Sequence, residues 1–404
     1  MPGRASGPHA PGGATVDSVL AQLLHPLTVQ GFFDHIWGVR HHHISRDQPG
    51  WFDSVVAAPA GLEELLERVA ADPATLRLVR GDDSREPEHY RRGDGSLDRP
   101  LVRADFDRGY TVVVNKLERY ARGIATFAHA LEVELNFPVQ VNAYLTPPAA
   151  TGFVPHYDPH DVLVLQLHGS KLWHLYGEHP VPPHVMQRHE QLVGAALPAP
   201  TDVRLRPGDV LYLPRGRPHA AESDTETSMH LTVGVHAPTV LTVLTHVLHA
   251  LSIRDDRLHE RLPPRYLDDV DLRRQVAALL ATTVPAVVEP DAVADGVAAL
   301  ANILARRAPS PPVPTVPSAV DLDADTEVRK HHPLYARVVA LPNGVALQFA
   351  QMLLSRGPDH GEALRFVVDR RTPFRVGELP GLRCGQQIEL TRALLLTGFL
   401  TVNR

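Results

Sequence analysis

His156-Tyr157-Asp158 sets an imidazole and a carboxylate two residues apart. On an extended strand, residues i and i+2 point to the same face, so both side chains can converge on one cation. A third ligand must come from elsewhere. His219 is the candidate: it closes the run Leu211-Tyr212-Leu213-Pro214-Arg215-Gly216-Arg217-Pro218-His219, just past a short apolar stretch. Two imidazoles and one carboxylate on one face of an ion form the donor set of a non-haem iron(II) centre, with the remaining positions open. The spacing does not decide by itself. Among 24 histidines and 46 acidic residues, roughly two or three His-x-Asp/Glu pairs are expected by chance. Two occur, His156/Asp158 and His360/Glu362, and the latter reads as a loop accident. The residues alone leave a metal site and a set of structurally satisfied histidines both open.

Only Lys116, Lys171 and Lys330 are lysines; arginine has otherwise replaced them. Lys171 opens the apolar run Lys171-Leu172-Trp173-His174-Leu175-Tyr176, one hairpin after His156. Pointing inward it needs an anionic partner; pointing outward it is an ordinary strand-end lysine. Asn142 and Tyr144 share a face of the preceding strand, where either can hydrogen-bond an acid or simply be a strand residue. His160, Asp161, His168 and His174 read as structural or exposed. His230 lies on a strand that borders the pocket, where it can support the ligands. The His41–His43 run reads as a loop or the start of a strand.

These residues need a scaffold of short strands. From Val139 onward the texture supplies one: Val139–Leu145, Val162–Leu167, Lys171–Tyr176, Val203–Leu205, Val210–Leu213 and Ser228–Val235 are apolar or alternating runs. Turn signals separate them, among them Pro147-Pro148, His168-Gly169-Ser170 and Pro207-Gly208-Asp209. Such an array predicts an antiparallel sandwich or barrel of jelly-roll type. Before it, residues 1–17 read as a flexible leader, then a helix is predicted from Ser18 to Leu24 with Asp17 as its N-cap. Helical spacing recurs at Phe32, Phe33, Ile36 and Trp37, from Gly61 to Ala71, and from Ile124 to Leu135. After it, Thr239–Ile253, Asp271–Thr283 and Asp291–Arg307 read as helices. Residues 308–320 form a Pro-rich linker, and residues 321–404 a compact α+β segment.

Composition limits the function. The chain has 404 residues, 44% of them apolar, enough for two or three packed domains. A net charge of −6 argues against a dedicated nucleic-acid binder. Residues 321–404 hold eleven basic and nine acidic residues, too balanced for strong phosphate binding. The single cysteine, Cys384, excludes an internal disulfide and a cysteine zinc cluster. No apolar run is long enough to span a membrane, and residues 1–17 lack an apolar signal core, so a cytoplasmic location is expected.

Taken together, these motifs resemble the JmjC-type ribosomal oxygenases of the cupin superfamily. The resemblance rests on Asn142-x-Tyr144-x-Thr146-Pro147, then His156-Tyr157-Asp158, an apolar strand ending in Gln166-Leu167, and Gly169-x-Lys171-x-Trp173. It continues through Gly208–Gly216 with His219, and through Ser228-Met229-His230-Leu231-Thr232. It implies an α+β chain: a double-stranded β-helix catalytic domain over 18–238, a helical dimerisation domain over 239–307, and a winged-helix-like domain over 321–404. It implies Fe(II) held by His156, Asp158 and His219, and 2-oxoglutarate held by Lys171 with Asn142, Tyr144 and Ser228. The implied activity is hydroxylation of a side-chain carbon of a protein, a ribosomal one by resemblance, at an arginine or a histidine, with dioxygen as co-substrate and a homodimer as the assembly. A peptide natural product as substrate, or a ligand-sensing nucleic-acid regulator, are the competing expectations. Family members carry lysine or arginine at the Lys171 position; the lysine here leaves the acceptor residue open.

Overall fold

The computed structural model describes residues 18–70, 72–177, 190–191, 197–262, 264–308, 311 and 322–403. The expected leader over 1–17 and nearly all of the linker over 308–320 lie outside the described residues. The N-terminal part builds α1 (Val19–Leu24), α2 (Val29–His35), β1 (His42–Ile44), α3 (Leu62–Val69), β2 (Leu76–Arg80), β3 (Asp83–Arg85), α4 (Arg99–Asp107), β4 (Thr111–Val114) and α5 (Arg122–Leu135). Ser18, not Asp17, caps α1: its Oγ accepts from the Ala21 amide at 2.9 Å. Glu134 adds a second tie, accepting from the Val19 amide at 2.9 Å, as suits a carboxylate at a helix start. The short run at His42 is a true strand, paired with the strand at Val210–Leu213.

The central strands follow as β5 (Val139–Thr146), β6 (His156–Tyr157), β7 (Asp161–His168), β8 (Lys171–Leu175), β9 (Glu190–Gln191), β10 (Thr201–Leu205), β11 (Val210–Leu213), β12 (His219–Ser223) and β13 (Ser228–Val235). They form two antiparallel sheets. The larger has the order β1-β11-β7-β13-β5-β4-β2-β3, the smaller β10-β8-β12-β6-β9. The mixed α and β content and the antiparallel sandwich match the expected jelly roll. Strand β7 shows why its sequence is continuously apolar. Leu163, Leu165 and Leu167 pack outward against the N-terminal helices, while Val162 and Val164 pack between the sheets with Trp173, Leu205, Leu211 and Leu213. A strand buried on both faces has no polar alternation.

Asp209, in the turn between β10 and β11, locks the N-terminal segment onto the barrel. Its carboxylate accepts from His43 Nε2 at 3.0 Å and from the amides of Arg46, Asp47 and Arg206 at 2.6, 3.0 and 3.0 Å. Burial pushes this carboxyl up, but the bonds from His43 and the three amides outweigh it and hold it at about 2. A depressed carboxyl contributes stability that is complete above its unfolded value and is lost as pH falls through its folded one. Asp209→Ala is therefore expected to lower the unfolding free energy at neutral pH by about 2–4 kcal/mol. In urea titrations the gap from wild type should narrow as pH drops from 4 toward 2. An unchanged midpoint at neutral pH would refute this role.

Downstream, α6 (Val240–Ser252), α7 (Val270–Val287) and α8 (Pro290–Arg307) are helices as expected, although α7 runs past Thr283 through Pro285. The C-terminal segment builds β14 (Glu327–Lys330), β15 (Ala336–Leu341), β16 (Gly344–Phe349), β17 (Met352–Arg356), α9 (Gly361–Asp369), β18 (Phe374–Arg375), α10 (Cys384–Leu396) and β19 (Leu400–Val402). Two three-stranded sheets and two helices share one apolar core there, around Phe349, Phe374 and Phe399. Arg307 ties the end of α8 to the barrel, with Nε donating to Glu132 Oε1 at 2.7 Å and Nη2 to the Val139 carbonyl at 2.7 Å.

Candidate active site

β6 and β12 are adjacent antiparallel strands in which His156 and His219 stand directly opposite one another. Their rings meet at 4.4 Å between centroids. Asp158, just past β6, brings its Oδ2 to 3.8 Å from His219 Nε2. One ligand atom from each of His156, Asp158 and His219 lies within 4.8 Å of the other two. Both histidines place Nδ1 at 2.9 Å from a backbone carbonyl, that of Val154 and that of Arg217 respectively. A carbonyl only accepts, so each Nδ1 carries a proton, which leaves Nε2 as the nitrogen each ring can offer to a metal. Two imidazoles so oriented and a carboxylate aimed at one point fit a divalent first-row metal ion. The Asp158 carbonyl also accepts from the Gly216 amide at 2.8 Å, which pins the loop before β12 to the loop after β6.

A cavity of about 190 Å³ lies between the sheets at this point. Lys171 enters it from the start of β8. The hairpin before it turns at Gly169, whose φ of +59° suits glycine, and where a Cβ would lie 2.3 Å from the Thr227 carbonyl oxygen. The Lys171 side chain is 2% exposed, and its Nζ donates to Thr146 Oγ1 at 2.8 Å. Burial pushes the ammonium down to about 7. A buried ammonium with one neutral acceptor is poorly compensated, so an anion is the group this end of the cavity fits.

Asn142 and Tyr144 both line the cavity from β5. Asn142 Oδ1 accepts from the Lys116 amide at 3.0 Å and from Gln140 Nε2 at 2.9 Å. Tyr144 stacks on His230, with ring centroids 4.8 Å apart. Burial, then the Asp158 charge, pushes its phenol up. His230 is pushed well down by burial, then by Lys171, so the imidazole is neutral. Its buried Nδ1 has no hydrogen-bond partner among the described residues, as expected of a group that faces a ligand. Ser228 sits one strand repeat beyond His230 and outside the cavity lining; its Oγ accepts from Gln166 Nε2 at 2.9 Å.

The remaining histidines divide. His168 is exposed at the end of β7, and His174 faces Asp202 at 2.7 Å. Asp161 accepts from the Tyr212 hydroxyl at 2.6 Å. His160, read from sequence as structural or exposed, instead borders the cavity and stacks on His236 at 4.5 Å. Arg77, Thr111, Asn115, Gln140, Phe153, Trp173 and Thr232 line the cavity too. Sequence reasoning did not select them. Arg77 and Thr111 lie on β2 and β4, strands not predicted at all. The alternation in Leu76-Arg77-Leu78 was the one local signal that could have found Arg77.

Residues 119–243 match a JmjC domain family model. Among curated proteins, the chain is 31% identical over 222 residues to the bifunctional lysine-specific demethylase and histidyl-hydroxylase NO66 of Drosophila grimshawi, covering 54% of this chain and 30% of that protein. It is 29% identical over 283 residues to ribosomal oxygenase 2 of Mus musculus, covering 66% of this chain and 59% of that protein. The chain thus spans less than two thirds of either relative. Among solved structures, Escherichia coli ycfD matches with a TM-score of 0.54 at 16% identity, covering 93% of this chain and 98% of that one. Another structure of that ribosomal oxygenase is a complex with cobalt and 2-oxoglutarate. At this identity the likeness establishes the shared fold.

Proposed function

We propose that this chain, whose residues 119–243 match a JmjC domain, is a JmjC-type ribosomal oxygenase: an Fe(II)- and 2-oxoglutarate-dependent enzyme that hydroxylates a side-chain carbon of a ribosomal protein, at an arginine or a histidine. The observation that carries the reading is one cavity lined by His156, Asp158 and His219 on one wall and the buried Lys171 on another. His156, Asp158 and His219 would hold the iron. When bound, iron and 2-oxoglutarate together supply the activation of dioxygen and the delivery of one oxygen atom to a C–H bond.

The chain's own residues orient and insulate. The carbonyls of Val154 and Arg217 hold both imidazoles in the ligating tautomer. Lys171 would clamp the far carboxylate of 2-oxoglutarate as a charge-assisted pair. Thr146 holds the ammonium in place while it does so. Tyr144 and His230, both uncharged and stacked, form a flat wall against which a planar acid can lie. Asn142, held by two donors, supports that wall from the same strand. Ser228 would contribute from behind it. Trp173, Val162 and Phe153 keep the site dry, which strengthens each polar contact inside.

The same reading takes α6–α8 as a dimerisation segment, supported by the exposed row Leu241, Leu244 and Leu248 along α6, and the C-terminal segment as winged-helix-like. A cytoplasmic location goes with a ribosomal substrate. Among the described residues, no single helix is long and apolar enough to cross a membrane. The test is anaerobic Fe(II) loading, then air and 2-oxoglutarate, with succinate and the intact masses of extracted ribosomal proteins as readouts. The expected result is succinate together with one ribosomal protein heavier by one oxygen atom. Iron binding without succinate would overturn the oxygenase reading, and succinate without a mass change would overturn the ribosomal substrate.

A further inference from the structure

The cavity extends sideways along the larger sheet to Arg77. Arg77 stands opposite Val113, Val113 opposite Tyr144, and Tyr144 opposite His230. Directly opposed residues share a face of a sheet. Arg77 therefore looks into the same cavity as Tyr144 from two strands away, about 10 Å at the usual strand spacing. Its neighbours in the lining are neutral: Thr111, Asn115 and Phe153. The guanidinium lies 5.0 Å over the Phe153 ring centroid, and that ring lies 5.3 Å from the ring of His156. The buried Nε of Arg77 has no hydrogen-bond partner among the described residues.

The distribution of charge in the cavity is lopsided. Lys171 stands at one end and Arg77 on the other flank. Asp158 is the one carboxylate among the described lining residues, and it is a candidate metal ligand. A dicarboxylate held by Lys171 leaves Arg77 unanswered. A substrate guanidinium entering here would face a like charge with, among the described lining residues, no carboxylate besides Asp158 to receive it, which is strongly penalised away from water. A side chain that offers a lone pair would instead satisfy a buried donor that has no partner among the described residues.

We propose that Arg77 selects the acceptor residue: the side chain oxidised here presents a hydrogen-bond-accepting atom, an imidazole nitrogen or an amide or carboxylate oxygen, and is not an arginine. This rests on the oxygenase reading and replaces its arginine-or-histidine alternative with a class of acceptor set by the atom that meets Arg77. Such a residue binds through its tip to Arg77 while its β-carbon lies toward His156 and Asp158. Arg77 is thus a specificity-determining contact on the substrate side, separate from the clamp at Lys171.

The test uses cobalt(II)-loaded full-length protein, with blocked pentapeptides Gly-Ala-Xaa-Ala-Gly in which Xaa is His, Asn, Asp or Arg. Binding is read by ligand-observed NMR, with and without 2-oxoglutarate, so turnover is not needed. The best of the His, Asn and Asp peptides should bind at least about tenfold more tightly than the Arg peptide. Arg77→Glu should reverse that order, and Arg77→Gln should bring the peptides within about threefold of one another; circular dichroism confirms that both variants fold. The identity of the best binder separates imidazole from amide and carboxylate acceptors. An Arg peptide that binds best to wild type, an order unchanged in Arg77→Glu, or silence from all four peptides would overturn the inference. Failure of 2-oxoglutarate itself to bind would overturn the cofactor reading instead, and it is scored in the same titration.

Discussion

Asp158→Ala protein is expected to bind cobalt(II) or iron(II) at least about a hundredfold more weakly than wild type, and to lose turnover to below detection. Loss of a group that merely supports a metal ligand costs about 10–100-fold in affinity, and Asp158 is placed as a ligand. The charge makes its share larger. The carbonyl partners of His156 and His219 leave Nε2 as the ligating atom of each ring, and an imidazole ligating through Nε2 is neutral, so among these three ligands Asp158 would bring the only negative charge to the ion. Asp158→Asn keeps the shape and removes that charge, and should fall between alanine and wild type. The fold should survive both changes. Asp158 is only half-buried, and the bond that pins its loop uses its main-chain carbonyl, at 2.8 Å from the Gly216 amide. A cobalt titration followed by visible absorption, with circular dichroism as the folding control, decides the matter. Wild-type affinity in Asp158→Ala would remove Asp158 from the metal site.

The sequence made the ligand pair legible because a strand has a period of two, so His156 and Asp158 face one way whatever surrounds them. His219 was legible only through the buried strand that leads to it. Its partnership with His156 is a register between β6 and β12, and register is a property of the whole sheet. The strands β7, β11 and β13 announced themselves because burial on both faces leaves nearly continuous apolar runs, and β5 and β8 through apolar residues that recur at alternate positions. Leu76–Arg80 and Thr111–Val114 did not. They lie at the flank of the larger sheet, and they are short: one has five residues, two of them arginines, and the other has four. Arg77, Thr111 and the adjoining Asn115 were lost with them. Lys171 shows the opposite limit: sequence gave its position but left its direction open, inward or outward. The answer depends on Gly169, whose turn admits no side chain beside the Thr227 carbonyl, and on Thr146 across the cavity.

Lys171 should also make the affinity for 2-oxoglutarate depend on pH. Burial lowers its ammonium to about 7 in the absence of an anion. A dicarboxylate pairs with the protonated form alone. Affinity is therefore full below about pH 7 and weakens above it, by up to about tenfold per unit, until the pKa of the bound complex is reached. The groups packed around Lys171 do not reproduce this trend. His230 is shifted well down and stays neutral, Tyr144 is shifted up and stays protonated, and Thr146 does not titrate. Isothermal titration of cobalt-loaded protein between pH 6.5 and 9 should show the dissociation constant rising with pH. Lys171→Arg keeps its charge throughout that range and should flatten the profile. Lys171→Ala removes one member of a buried pair, which costs about 3–5 kcal/mol, or a hundredfold and more in the dissociation constant. Its profile should be flat as well, at a uniformly weak value. The two variants thus separate charge from shape. If the wild-type profile is flat, the ammonium is already charged in the empty pocket; if Lys171→Ala binds 2-oxoglutarate normally, the clamp lies on another residue.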